Sequence, residues 1–136
     1  MKDLEAMHVL AQGILDRANE EYRRGLETGT VMSVFLLAAT ARNMLAPEVA
    51  YLVLEWSDQG SFLTLAGAQD AEGQDLYEDF DDEVWETFND EADTSFAWNL
   101  GENSESAWKP YVSGATRGDQ FLLPVDAVIA SIGKTL

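Results

Sequence analysis

Residues 49–68 read Val-Ala-Tyr-Leu-Val-Leu-Glu-Trp-Ser-Asp-Gln-Gly-Ser-Phe-Leu-Thr-Leu-Ala-Gly-Ala. In an extended chain, Ala50, Leu52, Leu54 and Trp56 share one side, and Tyr51, Val53 and Glu55 share the other. Asp58-Gln59-Gly60 supplies turn chemistry, and Ser61 to Ala68 runs back through Phe-Leu-Thr-Leu. Two runs of period two, joined by a short link ending in glycine, predict a β-hairpin. The hairpin decides the fold class, because the chain before it has a helical period.

Upstream, residues 3–26 place Leu4, Met7, Ala11, Ile14, Ala18 and Tyr22 at steps of three and four. That spacing predicts a helix with one apolar stripe, supported by Glu20 and Arg24 at helical spacing. Gly25 or Gly29 is expected to end it. Thr30 to Leu45 is apolar nearly all round, which predicts a second helix buried in the core. Ala46-Pro47 closes that helix, since proline disfavours helical backbone in the residue before it.

Downstream, Asp70-Ala71-Glu72-Gly73 is a second turn, leading into a short edge around Asp75 to Glu78. Asp81 or Asp82 caps a third helix with Val84, Trp85, Phe88 and Ala92 inward, and Asp82, Glu86, Asp90 and Asp93 on the opposite side. Thr94 to Leu100 reads equally well as more helix or as a strand. Gly101 to Ser106 and Ser113 to Asp119 are loops, the latter carrying Arg117, and Gln120 to Leu123 is a final strand. Pro124 opens a last helix whose core side is Val125, Val128, Ile129 and Ile132. The expected fold is a single α+β domain over residues 1–136. In it the hairpin of residues 49–68 and one or two further strands form an antiparallel sheet. That sheet packs against an N-terminal helical pair and a C-terminal helix.

The charge is distributed unevenly. The formal net charge is −17, and between Arg42 and Lys109 there are seventeen acids and no base. Twelve of those acids fall within residues 70–93: Asp70, Glu72, Asp75, Glu78, Asp79, Asp81, Asp82, Glu83, Glu86, Asp90, Glu91 and Asp93. Residues 1–42 carry six acids against five bases, and residues 109–136 two against three, so both ends are nearly neutral. Hydrophobic residues make up 46%, and aromatics are interleaved with the acids, so the middle reads as folded and not as a disordered tail.

Such a surface repels anionic membranes and bare nucleic acid. The longest apolar stretch, Val31 to Ala41, is far short of the ~20 residues that cross a bilayer. The chain has no cysteine, which excludes disulfides and thiolate metal sites, and its start lacks the pattern of a secretory signal. A cytoplasmic protein of bacterial or phage type is the resulting expectation.

An acidic run is most often a solvated face. Two features point beyond solvation. Asp82, Glu86 and Asp90 are like charges at four-residue spacing, which disfavours the helix by a few tenths of a kcal/mol per pair. Asp90, Glu91 and Asp93 also lie toward its C-terminal end, where the helix dipole disfavours anions. The twelve acids of residues 70–93 are therefore the candidate surface for a basic protein partner, in particular a nucleic-acid-handling enzyme. In composition this is similar to the acidic DNA mimics among phage anti-restriction and anti-CRISPR proteins. One helical row spaces its charges about 5–6 Å apart, too sparsely to imitate a phosphate strand at 3.4 Å, so a mimic needs a second row. An immunity protein against a basic toxin is the alternative, with Trp98 and Trp108 as aromatic anchors. For both tryptophans core membership is the more common role. A third reading is an assembly protein, homodimeric through an apolar helix face, whose acids only confer solubility.

Catalytic and metal readings are weaker. Asp79 to Val84 has carboxylates at alternate positions but valine where a calcium loop needs its glycine, and Asn89 to Thr94 fails in the same way. His8 is the only histidine and lies far from any candidate nucleophile. Gly25 to Thr30 lacks the lysine of a phosphate loop. No catalytic residue, metal site or cofactor is assigned.

Overall fold

The computed structural model describes residues 2–114 and 118–136, and within these no side chain of residues 2–4 or of Tyr77. Arg117 and part of the loop expected at 113–119 lie outside the described residues. The first element is one continuous helix, α1, Lys2–Met44, about 64 Å long. The expected helical pair is therefore a single rod. Gly25 and Gly29 do not end it because a glycine stop needs the left-handed conformation. Among the described residues only Gly60 and Gly73 have positive φ. The Ser33 hydroxyl donates to the Gly29 carbonyl at 2.9 Å, one turn back, as expected of uninterrupted helix. The first proline lies beyond the helix end, at Pro47, so nothing in the rod forces a break.

The rod has two environments. Every residue from Glu5 to Gly29 is exposed, whereas Thr30, Ser33, Val34, Leu37, Ala38 and Ala41 are buried. The buried half lies across the sheet domain and packs against α4, Val125–Gly133. Its root is fixed by Asn99, whose side-chain amide donates to Ser33 Oγ at 3.0 Å. Its end is fixed by Arg42. That guanidinium donates to Asp126 Oδ1 at 2.8 and 3.0 Å, to the Pro47 carbonyl at 3.1 Å and to the Val49 carbonyl at 2.9 Å. One side chain thus ties the rod to the turn that follows it and to the start of α4.

The hairpin forms as expected: β1, Tyr51–Trp56, pairs antiparallel with β2, Leu63–Gln69, and Gly60 takes φ +74° in the turn. The ladder slips between Val53 and Leu54, leaving Ala66 as an exposed extra residue in a bulge. β4, Gln120–Pro124, joins the other side of β1, and a two-residue strand β3, Ser113–Gly114, joins β4. The sheet order β2-β1-β4-β3 is antiparallel throughout. Leu52, Leu54, Leu63, Ala68 and Leu123 turn inward onto Val34, Leu37 and Ala41 of α1.

The segment after β2 is mostly helical. Gln69 makes one isolated bridge to Asp75, so the expected edge strand shrinks to a single pair and a 3-10 turn, Tyr77–Asp79. α2, Asp82–Ser95, buries Phe88 and Ala92, while Val84, expected inward, is partly exposed. A 3-10 turn, Ala97–Asn99, ends the question over residues 94–100: the chain stays helical and forms no strand. The expected loop at 101–106 contains another 3-10 turn, Glu102–Ser104, and the start of a short α3, Glu105–Trp108. Among the described residues no helix is long and apolar enough to cross a membrane.

Candidate functional site

The acidic segment opens with a turn that its own first acid builds. Asp70 Oδ1 accepts from the backbone N–H groups of Glu72 at 3.0 Å and Gln74 at 2.9 Å, and Gly73 takes φ +84° to close the loop. Glu72, Asp75, Glu78 and Asp79 are all exposed. Phe80 then stacks on Trp85 with ring centroids 5.6 Å apart and planes 5° from parallel, pinning the turn to α2.

Asp81 is the N-cap. Its extended backbone and the bond from Glu83 N–H to its Oδ1, at 2.9 Å, satisfy one of the free donors at the helix start. Asp82 and Glu83 follow in the first turn, where the helix dipole favours them. Glu86, Asp90 and Glu91 are exposed further along, without that benefit. Asp93 behaves differently: it is half-buried, and its Oδ1 accepts from Leu65 N–H of β2 at 2.8 Å. Its carboxylate anchors the C-terminal end of α2 to the sheet beside the bulge.

The segment therefore divides by task. Asp70, Asp81 and Asp93 hold backbone N–H groups and build the local structure. Glu72, Glu78, Asp79, Asp82, Glu83, Glu86, Asp90 and Glu91 point their charge to solvent. At about 100° per residue, Asp82, Glu86 and Asp90 step round α2 by about 40° each and Glu83 lies about 20° beyond, so the four fall in one band about 100° wide. Val84 lines a shallow groove of about 320 Å³ with Met44, Asp81, Glu83 and Thr87, an apolar strip beside the charged band. Among the described residues no three acids converge as a metal-binding cluster.

The two cations that border the base-free window are engaged elsewhere. Arg42 is bound to Asp126, and Lys109 Nζ lies 3.4 Å from Glu105 Oε2. Neither is paired with an acid of that band.

The two tryptophans part company. Trp108 is 0% exposed, donates its indole N–H to the Gly101 carbonyl at 2.9 Å, and meets Trp56 and Phe121 edge to face. It is a core residue with no surface to offer a partner. Trp98 is 57% exposed and packs edge-on against Phe62 at 6.1 Å, beside a groove that also holds Leu26, Ser61 and Glu102. His8 lies on the exposed half of α1, away from the sheet.

The arrangement that sequence reading missed is that exposed half. Its apolar stripe was visible, and it predicts packing; only the tertiary structure shows that, among the described residues, nothing buries it. No family model, curated protein or solved structure matches this chain.

Proposed function

We propose that this is a non-enzymatic acidic binding protein that inhibits or neutralises a basic partner, in particular a nucleic-acid-handling protein, by occupying its basic surface. The observation that supports it is the exposed acidic band on α2, continued by Glu78 and Asp79, in a window with no base of its own. α2 is held by its cap, by Phe88 and Ala92 in the core and by the Asp93 anchor, so the charges are presented on a braced element. Preorganised charge loses less entropy on docking than a flexible acidic tail would. In this reading the carboxylates stand where phosphates would. Glu83, Glu78 and Asp79 add charge beside the single stripe of Asp82, Glu86 and Asp90.

The test compares two baits, the wild-type protein and the Glu86→Lys, Asp90→Lys variant, in affinity capture from nuclease-treated host lysate with a salt gradient. The expected result is a basic nucleic-acid-binding protein held by the wild type to high salt and lost by the variant. The same spread of basic proteins leaving both baits at low salt would assign the acids to solvation alone.

A further inference from the structure

The exposed half of α1 is the least explained surface of the molecule. Met7, Leu10, Ile14, Leu15 and Tyr22 are each more than half exposed, Ile14 at 66% and Tyr22 at 74%. With Ala11 and Ala18 they lie within one broad arc of the helix that Glu21 also enters, while Val9, 69% exposed, sits on the opposite side. The polar contacts of this half lie on the other side: Gln12 Nε2 donates to Asp16 Oδ1 at 3.0 Å, and Arg24 donates to Glu20 Oε1 at 2.9 Å. The arm is thus amphipathic, with its apolar side bare.

Its own domain does not cover that side. At about 100° per residue, the arc from Met7 to Tyr22 is turned about 130° from the side carrying Thr30, Val34, Leu37 and Ala41. A continuous helix therefore aims the arc away from the sheet. Helices owe most of their stability in water to packing of the apolar face, and this one carries Gly13, Gly25 and Gly29 as well.

We infer that the arc is covered by the arm of a second copy, packed antiparallel. Two observations select that occupant. The five large residues expose about 600 Å² per arm, so a pair can bury up to about 1,200 Å², which reaches the lower end of the range for stable interfaces. Charge sets the direction. The arm itself, residues 5–29, carries five acids and three bases and so bears only −2, while the rest of the chain carries most of the −17. Parallel arms place two such domains side by side, at a helix spacing of about 8–10 Å. Antiparallel arms centred on Ile14, rising about 1.5 Å per residue out to Gly29 on each side, hold them about 45 Å apart, several times the screening length of about 8 Å. The antiparallel pair presents an acidic face at each end of a common rod.

Sedimentation equilibrium of the full chain, from micromolar to millimolar concentration, tests the pairing. A dimer is expected that persists in high salt, unlike binding through the acidic face. Ile14→Asp is expected to weaken it by about a hundredfold or more, with the tryptophan fluorescence of the domain unchanged. The chain has no cysteine, so single cysteines report direction. Ile14, at the middle of the arc, is expected to cross-link to its twin as Ile14→Cys, while Tyr22→Cys is not. A wild-type monomer throughout, a larger oligomer, a dimer indifferent to Ile14→Asp, or equal cross-linking at both positions would each overturn the inference.

Discussion

The two halves of α1 are one helix by every local criterion, yet they live in different solvents. Residues 30–45 are pressed against a sheet and a second helix, whereas residues 5–29 are all exposed, with Leu26 beside a groove of the domain. Both halves have apolar side chains at helical spacing. The difference teaches that periodicity specifies the element and the width of its apolar side, while the presence of a complementary surface decides whether that side is buried. The arm's stripe and the core stripe face different directions, so the same pattern that builds the domain also leaves an unmatched surface.

The largest effect expected from this contrast is a paired truncation. Leu37→Ala, in the buried half, is expected to destabilise the domain by about 2–5 kcal/mol. Leu15→Ala, in the arm, is expected to change it by no more than about 0.5 kcal/mol. Urea unfolding followed by tryptophan fluorescence, at a concentration low enough to separate any arms, checks both, since Trp56, Trp85, Trp98 and Trp108 all report on the domain. Equal losses at the two sites would erase the distinction between domain and arm.

A second pair sharpens the contrast inside the acidic segment. Asp93→Ala removes a charged acceptor from Leu65 N–H and is expected to cost about 1.5–3 kcal/mol. Asp90→Ala, one turn from Glu86 and exposed, is expected to be neutral or to stabilise α2 by a few tenths of a kcal/mol, because a like-charge pair is relieved. Chemical unfolding of the two variants side by side separates an acid that builds the fold from one that only charges its surface.

The smallest effect belongs to the rod's interior. A methyl at Gly25 or Gly29 meets nothing within 4 Å, so Gly25→Ala and Gly29→Ala are each expected to favour helix by about 1 kcal/mol. Far-UV circular dichroism is expected to rise while the unfolding midpoint of the domain stays unchanged. A fall in helicity would mean that these glycines serve a bend the rod needs.

Much of the fold was legible residue by residue. The alternation of residues 49–56 and the Asp58-Gln59-Gly60 turn are local signals, and they specified the hairpin; Asp81 before an apolar helical pattern likewise marked the start of α2. Reading stopped where the outcome depended on partners distant in sequence. Gly25 and Gly29 looked like a helix end because glycine permits one, but nothing nearby enforced it, and the rod runs on into packing it gains only in three dimensions. Trp108 and Trp98 were indistinguishable as sequence. The first is enclosed by Trp56 and Phe121, from two strands, while the second is left outside by the 3-10 turn that follows α2. Asp93 looked like one more surface acid until β2 brought Leu65 N–H to it.

By itself, the sequence determined the α+β class, the hairpin, the position of α2 and the concentration of negative charge in the middle of the chain. These depend on neighbours within a few residues or on composition alone. Tertiary structure decided that the first two helices are one, that Arg42 and Lys109 pair with Asp126 and Glu105 and not with the acidic band, and which acids build and which project. It also decided that half of α1 stands free. Each of these outcomes depends on which surfaces meet across the fold, and a pattern along a chain carries a face's character without saying what will cover it.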